Sequence, residues 1–132
     1  MQEEFGDFGT SEKNFTALEE IVAFDLDHGA QVVIAEMMVH PALLDLNDAR
    51  GNPRADRARI LDLIARVNSR IDSIASANGI QYLRFDPSLA IPDKGWFDLY
   101  HLNINGAKVF SDWLGRQVAL LIQLAEPSGP AE

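Results

Sequence analysis

The chain has 132 residues, 47% hydrophobic and 23% charged, which suits one soluble layered domain with a single core. Twenty acidic side chains against eleven basic ones leave a formal charge of −9, which argues against a nucleic-acid backbone as partner, since that requires a concentrated positive surface. The absence of cysteine excludes disulfides, thiolate metal sites and a cysteine nucleophile, and no apolar run nears the roughly 18 residues of a membrane span.

Residues 1–13 are acidic, carry no signal-peptide pattern and are expected to be poorly ordered. From Asn14 onward, Phe15, Leu18, Ile21, Val22 and Leu26 recur on one helical stripe, and Gly29 stands where a left-handed residue ends the helix. His28, just before it, complements the negative end of the helix dipole. "QVVIAEMMV", residues 31–39, is a nearly continuous apolar run rich in β-branched residues, which predicts a strand covered on both faces. Glu36 inside this run needs a partner, and Arg84 on the neighbouring strand is a candidate. A long connection closes at Asn52-Pro53, a good cap followed by a good first helical residue. Ile60, Ile64, Val67, Ile71 and Ile74 then repeat at spacings of four and three until Asn78-Gly79 ends the helix. Six of the eleven basic residues lie between Arg50 and Arg70, interleaved with acids, the pattern of a solvated mixed-charge face. "IQYLRF", residues 80–85, reads as a second strand ended by Asp86-Pro87. After a loop, a last helix from about Ile104 is expected to bury Phe110, Trp113, Leu114 and Leu121. Residues 125–132 read as a disordered tail, leaving 14–124 as a partial α/β domain.

Strands separated by helices imply a parallel sheet with right-handed crossovers, hence an α/β layered fold. Two strands alone do not make a stable sheet of this kind. The open edge therefore predicts either self-association or pairing with a missing N-terminal half.

In open parallel sheets reactive groups collect at the carboxyl ends of the strands. There the sequence places Asp98 three residues before His101. On one turn the Asp carboxylate reaches one imidazole nitrogen and leaves the other for a substrate or a serine hydroxyl, which is the orienter-plus-base half of nucleophilic acyl transfer. The spacing alone equally describes a turn cap beside a surface histidine. His40 in "MVHP", Trp96 and Tyr100 are candidates for lining a substrate cleft; the plainer explanation is a structural hydrogen bond before a proline turn for His40, and packing under the loop for Trp96, Phe97 and Tyr100. The three histidines lack zinc-ligand spacing and no Gly-rich phosphate loop is present, so no metal or cofactor is expected.

"DLYHLNINGAKVFSDWL" closely resembles the last conserved block of the SGNH (GDSL-like) hydrolase superfamily, where an Asp precedes the catalytic His by three positions and a Leu-Asn, a Gly-Ala pair and an amphipathic helix follow. Asn103 is then a natural cap, and Gly106-Ala107 would let the helix approach the sheet closely. "HGAQVVIAEMMVHPALL" looks like the penultimate strand of the branch related to alginate O-acetyltransferases and D-alanine transfer proteins, with Met38 where a proline is common. The resemblance, over roughly residues 14–122, implies the C-terminal part of a flavodoxin-like three-layer fold. It implies ester hydrolysis or acyl transfer on an acylated carbohydrate or cell-envelope polymer, with His101 as general base and Asp98 as its orienter. The family's Gly-Asp-Ser block has no counterpart: Phe8 follows Gly6-Asp7, and Ser11 reads as the cap region of the first helix. The oxyanion-hole blocks are also missing, so the chain is expected to be inactive alone. The alternative is a non-catalytic interaction module that keeps the late half of the fold. A flavodoxin-like small-ligand binder ranks below both.

Overall fold

In the computed structural model, which describes residues 12–42 and 57–125, the first helix, α1, spans Glu12–Asp27. Phe15 and Val22, seven positions apart, are buried, and Leu18 and Leu26 are half-buried beside them. Ile21, expected on the same stripe, is instead exposed, as is Phe24. One neighbouring helix covers only a narrow seam, about one position per turn, and Ile21 falls beyond it. Gly29 ends the helix as expected, at φ 80°, with its N–H on the Leu26 carbonyl (3.0 Å) and the Ala30 N–H on the Asp25 carbonyl (3.0 Å). These are the two bonds of a left-handed C-terminal stop. His28 adds a third, from Nδ1 to the Phe24 carbonyl at 2.7 Å.

The second helix, α2, spans Arg57–Asn78 and packs on α1. Ile74 and Ala75 are buried, and Gly79 repeats the left-handed stop at φ 65°. Arg66 and Asp62 form the solvated i,i+4 pair that the charge pattern suggests, at 3.0 Å. Arg70 serves the seam instead. Its guanidinium lies 5.6 Å over the Phe15 ring and pairs with Glu19 at 3.1 Å and Glu12 at 3.5 Å, both on α1. Asn68 is buried, and its carboxamide oxygen accepts from the Tyr82 hydroxyl at 2.7 Å. Tyr82→Phe would strip a partner from a buried amide and should cost about 1–3 kcal/mol in a urea titration.

Strands β1 (Val33–Ala35) and β2 (Gln81–Leu83) form a two-stranded parallel sheet. Both are shorter than the runs 31–39 and 80–85 suggested. β1 is half-buried rather than covered on both faces, and Glu36 follows it instead of lying inside it. A strand persists only where a partner backbone runs alongside. Past Ala35 the chain turns to other partners: the His40 N–H bonds to the Leu99 carbonyl at 2.8 Å.

Packing divides the described residues into two units, one holding 12–36, 41–42 and 57–82, the other 37–40 and 83–125. The second unit is organised by the third helix, α3, Ile104–Ala125. Trp113 is buried among aromatic rings, 5.1 Å edge-on to Phe85 and 5.5 Å from Phe110. Phe110, Leu114 and Leu121 are half-buried rather than buried, because the described part of this unit sets only short segments against a long helix. The fold is mixed α/β and mostly helical. Most of segment 1–13, Ser11, the Asn52-Pro53 cap and most of the tail lie outside the described residues.

Candidate active site

The candidate site is built on the segment joining β2 to α3. Asp86 opens it by accepting the Ser88 N–H at 2.8 Å, and the Ser88 hydroxyl and amide together hold its carboxyl below the usual aspartate range. A 3₁₀ turn, Asp93–Gly95, follows. Trp96 then pairs antiparallel with Leu102, bounded by bonds from Phe97 N–H to the His101 carbonyl (2.8 Å) and from Asn103 N–H to the Gly95 carbonyl (3.0 Å).

Asn103 joins this hairpin to α3. Its carboxamide oxygen caps the helix by accepting from the N–H groups of Asn105 (2.9 Å) and Gly106 (3.3 Å), and its Nδ2 donates to the carbonyls of Lys94 (2.6 Å) and Trp96 (3.2 Å). Gly106 allows the close approach expected of it, but to Gly95 in the 3₁₀ turn rather than to the sheet. A Cβ on Gly106 would fall on the Gly95 carbonyl, and one on Gly95 would come within 2.7 Å of the Ile91 side chain. No side chain fits between these backbones.

At the tip of the hairpin, Asp98 gathers its neighbours. Its Oδ1 accepts from the backbone N–H groups of Tyr100 (2.8 Å) and His101 (2.7 Å). The His101 Nδ1 lies 2.9 Å from Oδ1 and 2.8 Å from Oδ2. In a neutral ring this bond puts the proton on Nδ1, because a carboxylate only accepts, and leaves Nε2 as the basic atom. The His101 side chain is 74% exposed, and among the described residues Nε2 has no partner.

The Tyr100 amide, followed by the His101 ring, holds the Asp98 carboxyl below its ordinary value of 3.8. A carboxylate with a depressed folded value stabilises the turn fully above the ordinary value and loses that contribution as pH falls through the folded one. The Tyr100 and His101 amide shifts should therefore titrate together with a midpoint below 3.8, and Asp98→Asn should remove that step in an NMR titration.

His40 docks on the same turn through the Leu99 carbonyl. Its side chain is 18% exposed, with Nε2 3.4 Å from the Asp93 carboxylate and its ring edge-on to Trp96 at 5.2 Å. Trp96 is half-buried, and its indole N–H is shielded from solvent without an acceptor among the described residues. Tyr100 is exposed beside Asp98. The five residues singled out from the sequence thus lie in one unit, with Asp98, His101 and Tyr100 on the turn and His40 and Trp96 in contact with each other. Phe97, expected to pack under the loop, is instead 80% exposed next to Asp98. Its position becomes informative only once the register of the hairpin is known.

Among the described residues no serine hydroxyl bonds to His101, no cluster of His, Asp and Glu could hold a metal ion, and no helix is long and apolar enough to cross a membrane. No protein-family model, curated protein or solved structure matches the chain.

Proposed function

We propose that this chain supplies the Asp-His part of a Ser-His-Asp site in an SGNH-type esterase or O-acyltransferase, with a fold corresponding to the C-terminal part of the flavodoxin-like SGNH domain. The observation that carries the reading is the two-oxygen grip of Asp98 on His101 Nδ1, which orients an exposed imidazole with Nε2 as its basic atom. A turn cap needs only the backbone bonds, and the ring bond is additional to them. The residue types match the chemistry: the carboxylate sets the tautomer, and the imidazole takes and returns a proton. The substrate class, an acylated carbohydrate or cell-envelope polymer, comes from the resemblance of "DLYHLNINGAKVFSDWL" to the SGNH block. The nucleophile and the oxyanion donors come from residues outside this chain.

The test is ester hydrolysis by the chain joined to, or mixed with, a segment that delivers a Gly-Asp-Ser strand. Release of p-nitrophenol from p-nitrophenyl acetate should depend on both that serine and His101. A completed protein whose His101→Ala form is as fast as the parent would defeat the reading. The sheet adds a second expectation, since among the described residues it has two strands and so leaves backbone at its edges open to pairing. In sedimentation velocity the chain alone should associate, and its completing segment should suppress that association.

A further inference from the structure

We infer that Phe97 is a platform for the leaving alcohol of the ester, and that this alcohol is ring-shaped with an apolar face, a pyranose or an aryl group. The inference rests on the catalytic reading of His101 for the identity of the bound group, and on the hairpin register for its location.

The register follows from three observations. Trp96 and Leu102 form the antiparallel bridge, and the bonds that bound it run from Phe97 to His101 and from Asn103 to Gly95. Phe97 therefore stands opposite His101 in the register of this hairpin, next to the Trp96–Leu102 pair. Side chains alternate across a pleated backbone, so Phe97 and His101 share the face opposite to Trp96 and Leu102. The exposures agree with this alternation. Trp96 and Leu102 are half-buried, whereas Phe97 is 80% exposed and the His101 side chain 74% exposed. Phe97 makes no ring contact among the described residues, so its apolar surface is available beside the imidazole. Ile104, 84% exposed at the start of α3, follows closely in the chain.

The chemistry decides which part of an ester meets this surface. The serine hydroxyl gives its proton to Nε2 as its oxygen bonds to the acyl carbon. Nε2 then passes that proton to the ester oxygen as the acyl C–O bond breaks, and the alcohol departs. The imidazole thus works on the alcohol side of the ester, and a phenyl ring beside it meets the alcohol rather than the acyl chain. An aromatic ring suits the apolar face of another ring.

Binding is measurable on the chain as it stands, by backbone NMR titration with three acetate esters. These are acetylated methyl glucopyranoside, phenyl acetate and, as the ring-free control, ethyl acetate. At least one ring ester should shift the Phe97, Asp98 and His101 amides saturably, and which of them does so identifies the pyranose or the aryl source. Phe97→Ala should weaken that binding tenfold or more with the rest of the spectrum unchanged, Phe97→Trp should restore it, and His101→Ala should retain most of it. Equal shifts with ethyl acetate, no saturable shift with either ring ester, or an unchanged titration in Phe97→Ala would overturn the inference. The outcomes separate from those of the catalytic reading. Full activity of His101→Ala in the completed enzyme rejects the base and leaves the ring site standing, whereas unaltered ring binding in Phe97→Ala rejects the ring site and leaves the base.

Discussion

Asp98→Asn in the completed enzyme should lower kcat by on the order of 10⁴, the cost seen when a triad aspartate is replaced by its amide, while leaving the hairpin folded. The geometry explains why the two effects part. The asparagine Oδ1 still accepts from the Tyr100 and His101 backbone N–H groups, so the turn keeps its cap. Its other atom becomes an NH₂ that donates to His101 Nδ1 where a carboxylate oxygen accepted. The imidazole proton then moves to Nε2, and the atom meant to accept the serine proton already carries one. Removing the ring in His101→Ala should be at least as damaging to turnover, again without unfolding an exposed position. His40→Ala should cost far less, because the anchor of His40 on the turn is its backbone N–H, which alanine retains. A kcat for Asp98→Asn within threefold of the parent, measured per folded molecule, would reduce Asp98 to a turn cap.

Gly106→Ala should be the most destabilising small substitution in the second unit, although an alanine in a helix ordinarily helps. Replacing Gly by Ala inside a helix stabilises by up to about 1 kcal/mol. Here the new methyl would lie on the Gly95 carbonyl, which is itself held by the Asn103 N–H. Neither backbone is a flexible side-chain end, so relief requires α3 to move away from the 3₁₀ turn. Overpacking of this kind costs about 1–3 kcal/mol, more than the propensity gain. The shift would also pull Asn103 from the Lys94 and Trp96 carbonyls and so disturb the hairpin that carries His101. Gly115→Ala is the internal control: it lies in the same helix, a Cβ there meets nothing within 4 Å, and it should stabilise by about 0.5–1 kcal/mol. Thermal unfolding of the two variants should give shifts of opposite sign. Equal stabilisation by both would mean that the Gly95–Gly106 approach is not a constraint.

Much of the molecule follows from local chemistry that a sequence displays directly. The helix stops at Gly29 and Gly79 are legible because a left-handed residue is needed there and glycine supplies it cheaply. The Asn103 cap and the Asp98–His101 bond are equally local, spanning two or three residues. The order of helices and strands, the acidic balance and the absence of thiol chemistry belong to the same class. The stops, the cap and the Asp98–His101 bond depend on neighbours in the chain, so their distances are set by local backbone geometry, whereas charge and thiol content are read from composition.

What only the tertiary structure decides is how far each element extends and which way its side chains face. The hydrophobic runs 31–39 and 80–85 suggest longer strands than the three residues each one has, and past Ala35 the His40 N–H bonds to the Leu99 carbonyl instead. The stripe of α1 contained Ile21, yet a seam with one helix is too narrow to cover it. Arg70 looked like part of a solvated face until α1 brought Phe15, Glu12 and Glu19 to it. Gly106 signalled a close approach without saying to what, since the surface that meets it is eleven residues away at Gly95. Phe97 and Trp96 are adjacent aromatic residues that composition cannot tell apart. The Trp96–Leu102 bridge turns one inward and the other out beside His101, because alternation about a bridge is a property of two chain segments in register and not of either segment alone.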